Sequence, residues 1–123
     1  MQITRKITSL MRIKISPGDL ESIRKARDII GANIRYHYPI SELARKVQLN
    51  ERKLKIGFRL HFGTGPYQYL VSLRMNKGKE LLKAGKSVEE VARLTGYKNS
   101  SGLSHAFKKQ FGQSPRQWIN EQE

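Results

Sequence analysis

The sequence predicts an all-α fold made of two copies of one small helical unit, and three observations carry that prediction. From Asp19 onward, apolar residues recur at three- and four-residue intervals, the period of a helix with one buried face. The stretch FGTGPYQYL at 62–70 returns in outline as FGQSPRQWI at 111–119, within a chain of 123 residues. The likeness also reaches back from each stretch, since ISELARKVQLNERKLKIGFRLHF matches VEEVARLTGYKNSSGLSHAFKKQF at an offset of 48 before the internal turn and 49 after it. A helical solenoid would need at least about three stacked copies, so two copies favour twin modules.

Residues 1–18 precede this pattern. MQITRKITSLMRIKISPG carries Arg5, Lys6, Arg12 and Lys14 with no acidic residue, and it spaces Ile3, Ile7, Leu10 and Met11 like an amphipathic helix. A mitochondrial presequence has that look. The breaker signal Ser16-Pro17-Gly18 favours a plainer reading, a linker or tail from an upstream region that ends in a turn.

A first helix is expected over about 19–34, with Leu20, Ile23, Arg27, Ile30 and Ile34 on one stripe behind an acidic first turn. PISELARKV then places Ile40, Leu43, Ala44 and Val47 on one face of a short helix. Asn50 is a good N-cap for the next helix, whose Leu54, Phe58 and Phe62 face inward until Gly63 supplies a left-handed stop. Gly65 and Pro66 start another helix, with proline at the first position, where its missing N–H costs nothing. Gly112, Ser114 and Pro115 spell the same stop-then-start joint again, and Ser114 with Gln117 completes a capping box. The apolar pairs Ile40/Val88, Leu43/Val91, Ala44/Ala92, Leu49/Tyr97, Leu54/Leu103, Phe58/Phe107 and Phe62/Phe111 define two equivalent cores. Each module reads as helix, tight turn, helix, with Ala44 or Ala92 small enough for a close crossing.

Composition limits what such modules can do. Lys and Arg number 24 against 10 Asp and Glu, a formal charge of +14, which points to a polyanionic partner such as nucleic acid or an acidic membrane. The chain has no Cys, so disulfides and thiolate metal sites are excluded, and no apolar run approaches the roughly 18 residues of a membrane span. A cytoplasmic protein is expected, with no cofactor.

The sequence resembles the DNA-binding domain of AraC/XylS-type bacterial transcription regulators over about residues 19–122. VEEVARLTGYKNSSGLSHAFKKQFGQSPRQW carries the most specific part of the likeness, with its Ala, Gly-aromatic, Phe-Lys-Lys, Phe-Gly, Ser-Pro and final aromatic. LRMNKGKELLKAG looks like the family's linker helix and its end. The resemblance implies about seven helices, with two helix-turn-helix modules joined by a long linker helix. It divides the chain into a tail at 1–18, a first module with the linker helix at 19–84, and a second module at 85–123. It also implies double-stranded DNA as partner, RNA polymerase as a further one, and an upstream sensing or dimerisation domain, the isolated domain being monomeric. The pattern departs from the family's at three points: Gln48 stands where the first turn usually has Gly, Gly57 sits inside the first recognition helix, and Gly78 replaces a usual Ala in the linker.

Helical geometry then selects the residues that meet DNA. With Leu54 and Phe58 inward, Arg52, Lys55, Ile56 and Arg59 form the outward stripe, and the resemblance implies base-edge contacts from Arg52, Lys55 and Ile56. Arg52 can bond guanine in bidentate fashion, and Ile56 can pack on a thymine methyl, or equally be half-buried in an imperfect stripe. With Leu103 and Phe107 inward, the second set is Ser100, Ser101, Ser104, His105 and Lys108. Ser41, Ser87 and Ser114 lie near helix N-termini that can hold phosphates, and Arg59, Lys98, Lys108 and Lys109 are positioning charges for the backbone. The connecting helix, roughly Pro66 to Ala84, would be about 28 Å long at 1.5 Å per residue, comparable with the ~34 Å between successive major-groove segments on one side of a duplex. The two outward sets differ, so their joint target is an asymmetric site.

Catalysis is not expected, because His37, His61 and His105 stand far apart in sequence, without metal-ligand spacing, a Gly-rich phosphate loop or a nucleophile and base in a triad. The remaining rival is nonspecific binding to RNA or an anionic membrane surface. Against it, Tyr67, Tyr69 and Trp118 lie at corner-helix positions where packing is their expected role, so no aromatic platform for stacking bases is expected beyond the corners.

Overall fold

A computed structural model describes residues 13–122, which form seven helices and no strands. They are α1 (Pro17–Ala32), α2 (Ile40–Lys46), α3 (Glu51–Phe62), α4 (Pro66–Lys83), α5 (Val88–Thr95), α6 (Ser100–Phe111) and α7 (Pro115–Glu121). The expected amphipathic spacing of Ile3, Ile7, Leu10 and Met11 lies outside the described residues. The chain folds as two compact units. The first takes the chain through Ala32 together with Tyr38–Tyr69, and the second takes Asn33–His37 together with Leu70 onward.

In the first unit, α1 begins at Pro17, two residues before the pattern suggested, because Ser16-Pro17-Gly18 is a helix start and not a turn that closes a linker. The Asp19 N–H donates to the Ser16 hydroxyl, and the Ser16 N–H donates to the Asp19 carboxylate, both at 3.0 Å. This is the capping-box arrangement, with proline in the first helical position. The Ser16 N–H, and after it the Lys53 ammonium at 3.0 Å, hold the Asp19 carboxyl below the usual carboxylate range. α1 stops at Ala32, so Ile34 falls outside it. Its buried stripe is Ile23, Ala26 and Ile30, while Arg27 lies at the edge with its guanidinium 4.9 Å from the Phe62 ring centre.

These residues close over Leu43, Ala44 and Val47 from α2 and its end and over Leu54 and Phe58 of α3, all of them buried. The Asn50 side chain accepts the Lys53 N–H at 2.7 Å, and Gly63 ends α3 at φ 77°. Gly57 explains why a helix interior tolerates glycine here. A Cβ at this position would run into Ile23 Cδ1 and lie 3.1 Å from Ile15 Cδ1, so the missing side chain is what lets α1 approach α3.

The second unit repeats this construction. Val91, Ala92, Leu103 and Phe107 are fully buried with Met75, and Leu82 and Trp118 join them. Asn99 caps α6 through the Gly102 N–H at 2.9 Å, as Asn50 caps α3, and Gly112 ends α6 at φ 78°. The Ser114–Gln117 capping box is present in both directions, at 2.8 and 3.2 Å. The duplicated corner now has its physical meaning. Phe58 stands edge-on to Phe62 and Tyr69, with centroids 4.8 and 5.7 Å apart, and Phe107 stands edge-on to Phe111 and Trp118, at 4.6 and 5.9 Å. Each copy of the joint turns the chain so that an aromatic from the following helix closes on the buried Phe.

Gly57 and Gly78, each in the middle of a helix, predict opposite outcomes. Gly78→Ala is expected to stabilise the protein by roughly 0.5–1 kcal/mol, because the helix-propensity gain is unopposed. Its Cβ would meet only Val91 Cγ1, at 3.7 Å. Gly57→Ala makes the same gain but overfills a packed contact, at a cost of about 1–3 kcal/mol, so it is expected to destabilise. Urea unfolding of both variants checks the pair, and a stabilising Gly57→Ala would contradict the packing described for α1 and α3.

Candidate nucleic-acid interface

Both modules end their first helix with the same hydrogen bonds. In the second, the Gly96 N–H donates to Arg93 O at 3.4 Å and the Tyr97 N–H to Ala92 O at 2.8 Å, with Gly96 at φ 99°. In the first, Gln48 N–H donates to Arg45 O at 3.2 Å and Leu49 N–H to Ala44 O at 3.0 Å, with Gln48 at φ 56°. Gln48 thus takes up the left-handed conformation in which the related position holds Gly, and it is the one non-glycine residue with positive φ among those described. These turns set α2 against α3 and α5 against α6, each pair in contact within its own unit.

The turns leave one face of α3 open. Leu54, Gly57 and Phe58 are buried, whereas Arg52, Lys55 and Arg59 are exposed. Ile56 is half-buried, so the expected stripe is imperfect there. With Lys55, Arg59 and Leu60 it lines a small depression of about 230 Å³, which leaves part of an apolar side chain available among cations.

On α6, Leu103 and Phe107 are buried, Ser101 and His105 are exposed, and Ser100 and Ser104 are half-buried. Ser100 and Ser104 line a recess of about 490 Å³ with Ser87, Ser114 and Arg116. Three helix starts of the second unit, those of α5, α6 and α7, therefore meet around one recess. Sequence reasoning named four of these five residues and missed Arg116, which only the tertiary fold brings beside the serines.

Of the backbone-contact candidates, Ser87 is exposed and caps α5 by accepting the Glu90 N–H at 3.1 Å. Ser41 is exposed but does not cap α2, whose preceding residue is Pro39 with no side-chain cap. Lys98 is exposed in the turn before α6, while Lys108 and Lys109 are exposed in its last turn, where their charge also suits the helix C-terminus. The structure therefore brings Ser100 and Ser104 of the second set together with Ser87 and Ser114 around the start of α6 and keeps Lys108, with Lys109, at its far end. Among the described residues, no three His, Asp or Glu side chains gather as metal ligands would.

A family model described as a helix-turn-helix domain matches residues 43–121, more than half of the chain. The chain belongs to the AraC-type helix-turn-helix family. Among curated AraC-family relatives, it is 32% identical over 110 residues to the regulator CdhR of Pseudomonas aeruginosa, covering 86% of this chain and 33% of that protein. It is also 32% identical over 97 residues to a probable thc operon regulatory protein of Rhodococcus erythropolis, covering 76% and 29%. The chain thus spans about a third of the length of these relatives. The C-terminal domain of AraT, a response regulator from Geobacillus stearothermophilus, superposes with a TM-score of 0.76 at 26% identity, over 89% of this chain and 88% of that one. The DNA-binding domain of AdpA, solved in complex with a target DNA, shares the AraC-type fold with a TM-score of 0.73 at 24% identity, over 80% and 90%.

Proposed function

We propose that this chain is the sequence-specific, double-stranded DNA-binding domain of a transcription regulator, reading an asymmetric site with α3 and α6 in successive major-groove segments. The observation that carries this reading is the twin construction: two equivalent cores present two unlike outward sets on two equivalent helices. Arg52, Lys55 and Ile56 serve as base contacts in the first module, and Ser100, Ser101, Ser104 and His105 in the second. Arg59, Lys98, Lys108, Lys109, Ser41 and Ser87 hold the phosphate backbone. The first set offers long cationic donors that grip, whereas the second offers short hydroxyls and an imidazole that depend on close fit. α4 connects the modules as one unbroken helix of 18 residues, about 27 Å long at 1.5 Å per residue.

In this reading, the segment before α1 leads in from an upstream sensing or dimerisation domain, α1 to residue 84 forms the first module with the linker helix, and 85–123 form the second. The regulator works in the cytoplasm beside RNA polymerase, has no catalytic role, and its isolated DNA-binding part is a monomer.

The test measures affinity for a duplex selected from a random pool, for single-stranded RNA and for anionic vesicles, as a function of salt. Each neutralised phosphate releases condensed counterions, so roughly six to ten contacts give a log–log slope near −5 to −9 on the duplex. Arg52→Ala is expected to relax preference at one or two base pairs by about 1–3 kcal/mol, while Lys109→Ala lowers all affinities together. A slope shallower than about −3, or equal binding to RNA or vesicles, contradicts the reading.

A further inference from the structure

The segment Asn33–His37 leaves α1 of the first unit and belongs to the second. Two features fix it there. Arg74 of α4 is buried and donates its Nε–H to Ile34 O at 2.7 Å, while its guanidinium lies 5.1 Å from the Tyr97 ring centre. Gly96 has no side chain in the way, and a Cβ there would lie 2.9 Å from both Cα and O of Arg35. The Arg35 backbone is therefore seated directly on the turn that leads into α6.

From that seat the exposed Arg35 side chain shares a recess of about 1000 Å³ with Arg93, Lys98, Asn99 and Ser100. Glu89 and Glu90 also line it. Their charges are already partly answered: Glu90 pairs with Arg93 at 3.7 Å, and both carboxylates lie in the first turn of α5, where the helix dipole favours anions. Arg35 and Lys98 have no ion-pair partner among the described residues, so two neighbouring cations stand beside the start of the second reading helix.

We propose that Arg35 is a further DNA contact, donating to a backbone phosphate next to the one held by Lys98, on the flank of the base pairs read by α6. This inference rests on the DNA-binding reading above and extends it to a residue outside both helix-turn-helix motifs. A guanidinium suits the role because its planar fork bonds phosphate oxygens in bidentate fashion, and its pinned backbone reduces the entropy lost on binding. Arg74 is a positioning residue in this arrangement, since it holds the segment and not the phosphate.

The experiment compares the 123-residue chain with its Arg35→Gln and Arg35→Lys variants on the selected duplex and on a random duplex across a salt series. Individual phosphates flanking the second element are also replaced by neutral methylphosphonates. Arg35→Gln is expected to lose affinity for both duplexes by the same factor, with a salt slope shallower by about 1, and Arg35→Lys to keep most of the slope. One methylphosphonate position should weaken wild type and leave Arg35→Gln indifferent, with melting temperatures unchanged. If wild type binds duplex with the expected salt dependence and Arg35→Gln matches it in slope and methylphosphonate profile, the Arg35 contact is overturned alone. If wild type shows no preference for duplex over single-stranded RNA, the DNA-binding reading falls and the Arg35 contact falls with it.

Discussion

Phe107→Ala is expected to destabilise the second unit by about 3–5 kcal/mol, the cost of emptying a fully packed aromatic site. Phe107 has no exposed surface and stands edge-on to both Phe111 and Trp118, so its removal takes the centre out of the corner as well as the core. Domains of this size are stable by only about 5–15 kcal/mol, and a loss on that scale brings a unit near its unfolding point at ambient temperature. Phe58→Ala should do the same to the first unit, because its ring pairs with Phe62 and Tyr69 in the same geometry. Thermal unfolding followed by circular dichroism checks both. A Phe107→Ala variant that melts like wild type would mean that the inward and outward faces of α6 are exchanged, and with them the proposed contacts.

Gly96→Ala is expected to cost about 2–5 kcal/mol through two effects that act together. A left-handed backbone carrying a Cβ costs roughly 1–2 kcal/mol, and forcing an atom into a filled contact adds about 1–3 kcal/mol. The Arg74 Nη2 that would lie 2.7 Å from this Cβ is a side-chain tip, but Arg35 Cα and O at 2.9 Å are backbone and make that part of the contact rigid. The companion position predicts the reverse. Gln48 holds φ 56° with an exposed side chain, so Gln48→Gly relieves strain without losing packing and should stabilise by roughly 0.5–1 kcal/mol after the entropy of glycine is subtracted. Equilibrium unfolding of the two variants measures both signs. A neutral Gly96→Ala would show that the 33–37 segment is not seated on the turn.

Much of the architecture was legible because the determinants are local. Asn50, Gly63, Ser114 and Gly112 each act within one turn of chain, and the apolar spacing of Leu43, Ala44, Leu54 and Phe58, with its copy 48 or 49 residues later, fixes which faces are buried. What escaped the sequence is what depends on distant partners. Ser16-Pro17-Gly18 reads as a turn until Asp19 is seen returning the Ser16 hydrogen bond. Gly57 looks like a weak point in α3 until Ile23 is placed against it. Arg35 and Arg116 look like ordinary surface cations, since nothing in their immediate sequence says that one is pinned to the turn before α6 and the other lines the recess with Ser100 and Ser104. Ile56 shows an intermediate case: periodicity put it outward, and the helix leaves it half-buried beside Lys55 and Arg59.

If one chain reads two unlike elements on one side of a duplex, binding must depend on the spacing between them. Two elements about ten base pairs apart lie on the same face, and five added base pairs rotate one of them to the opposite face. With the selected site and the same site carrying a five-base-pair insertion between its halves, gel-shift titration and sedimentation measure affinity and the number of chains bound. One chain per site is expected, with a fall to the affinity of random duplex after the insertion. Retained affinity, or an inverted-repeat site occupied by two chains, would contradict it.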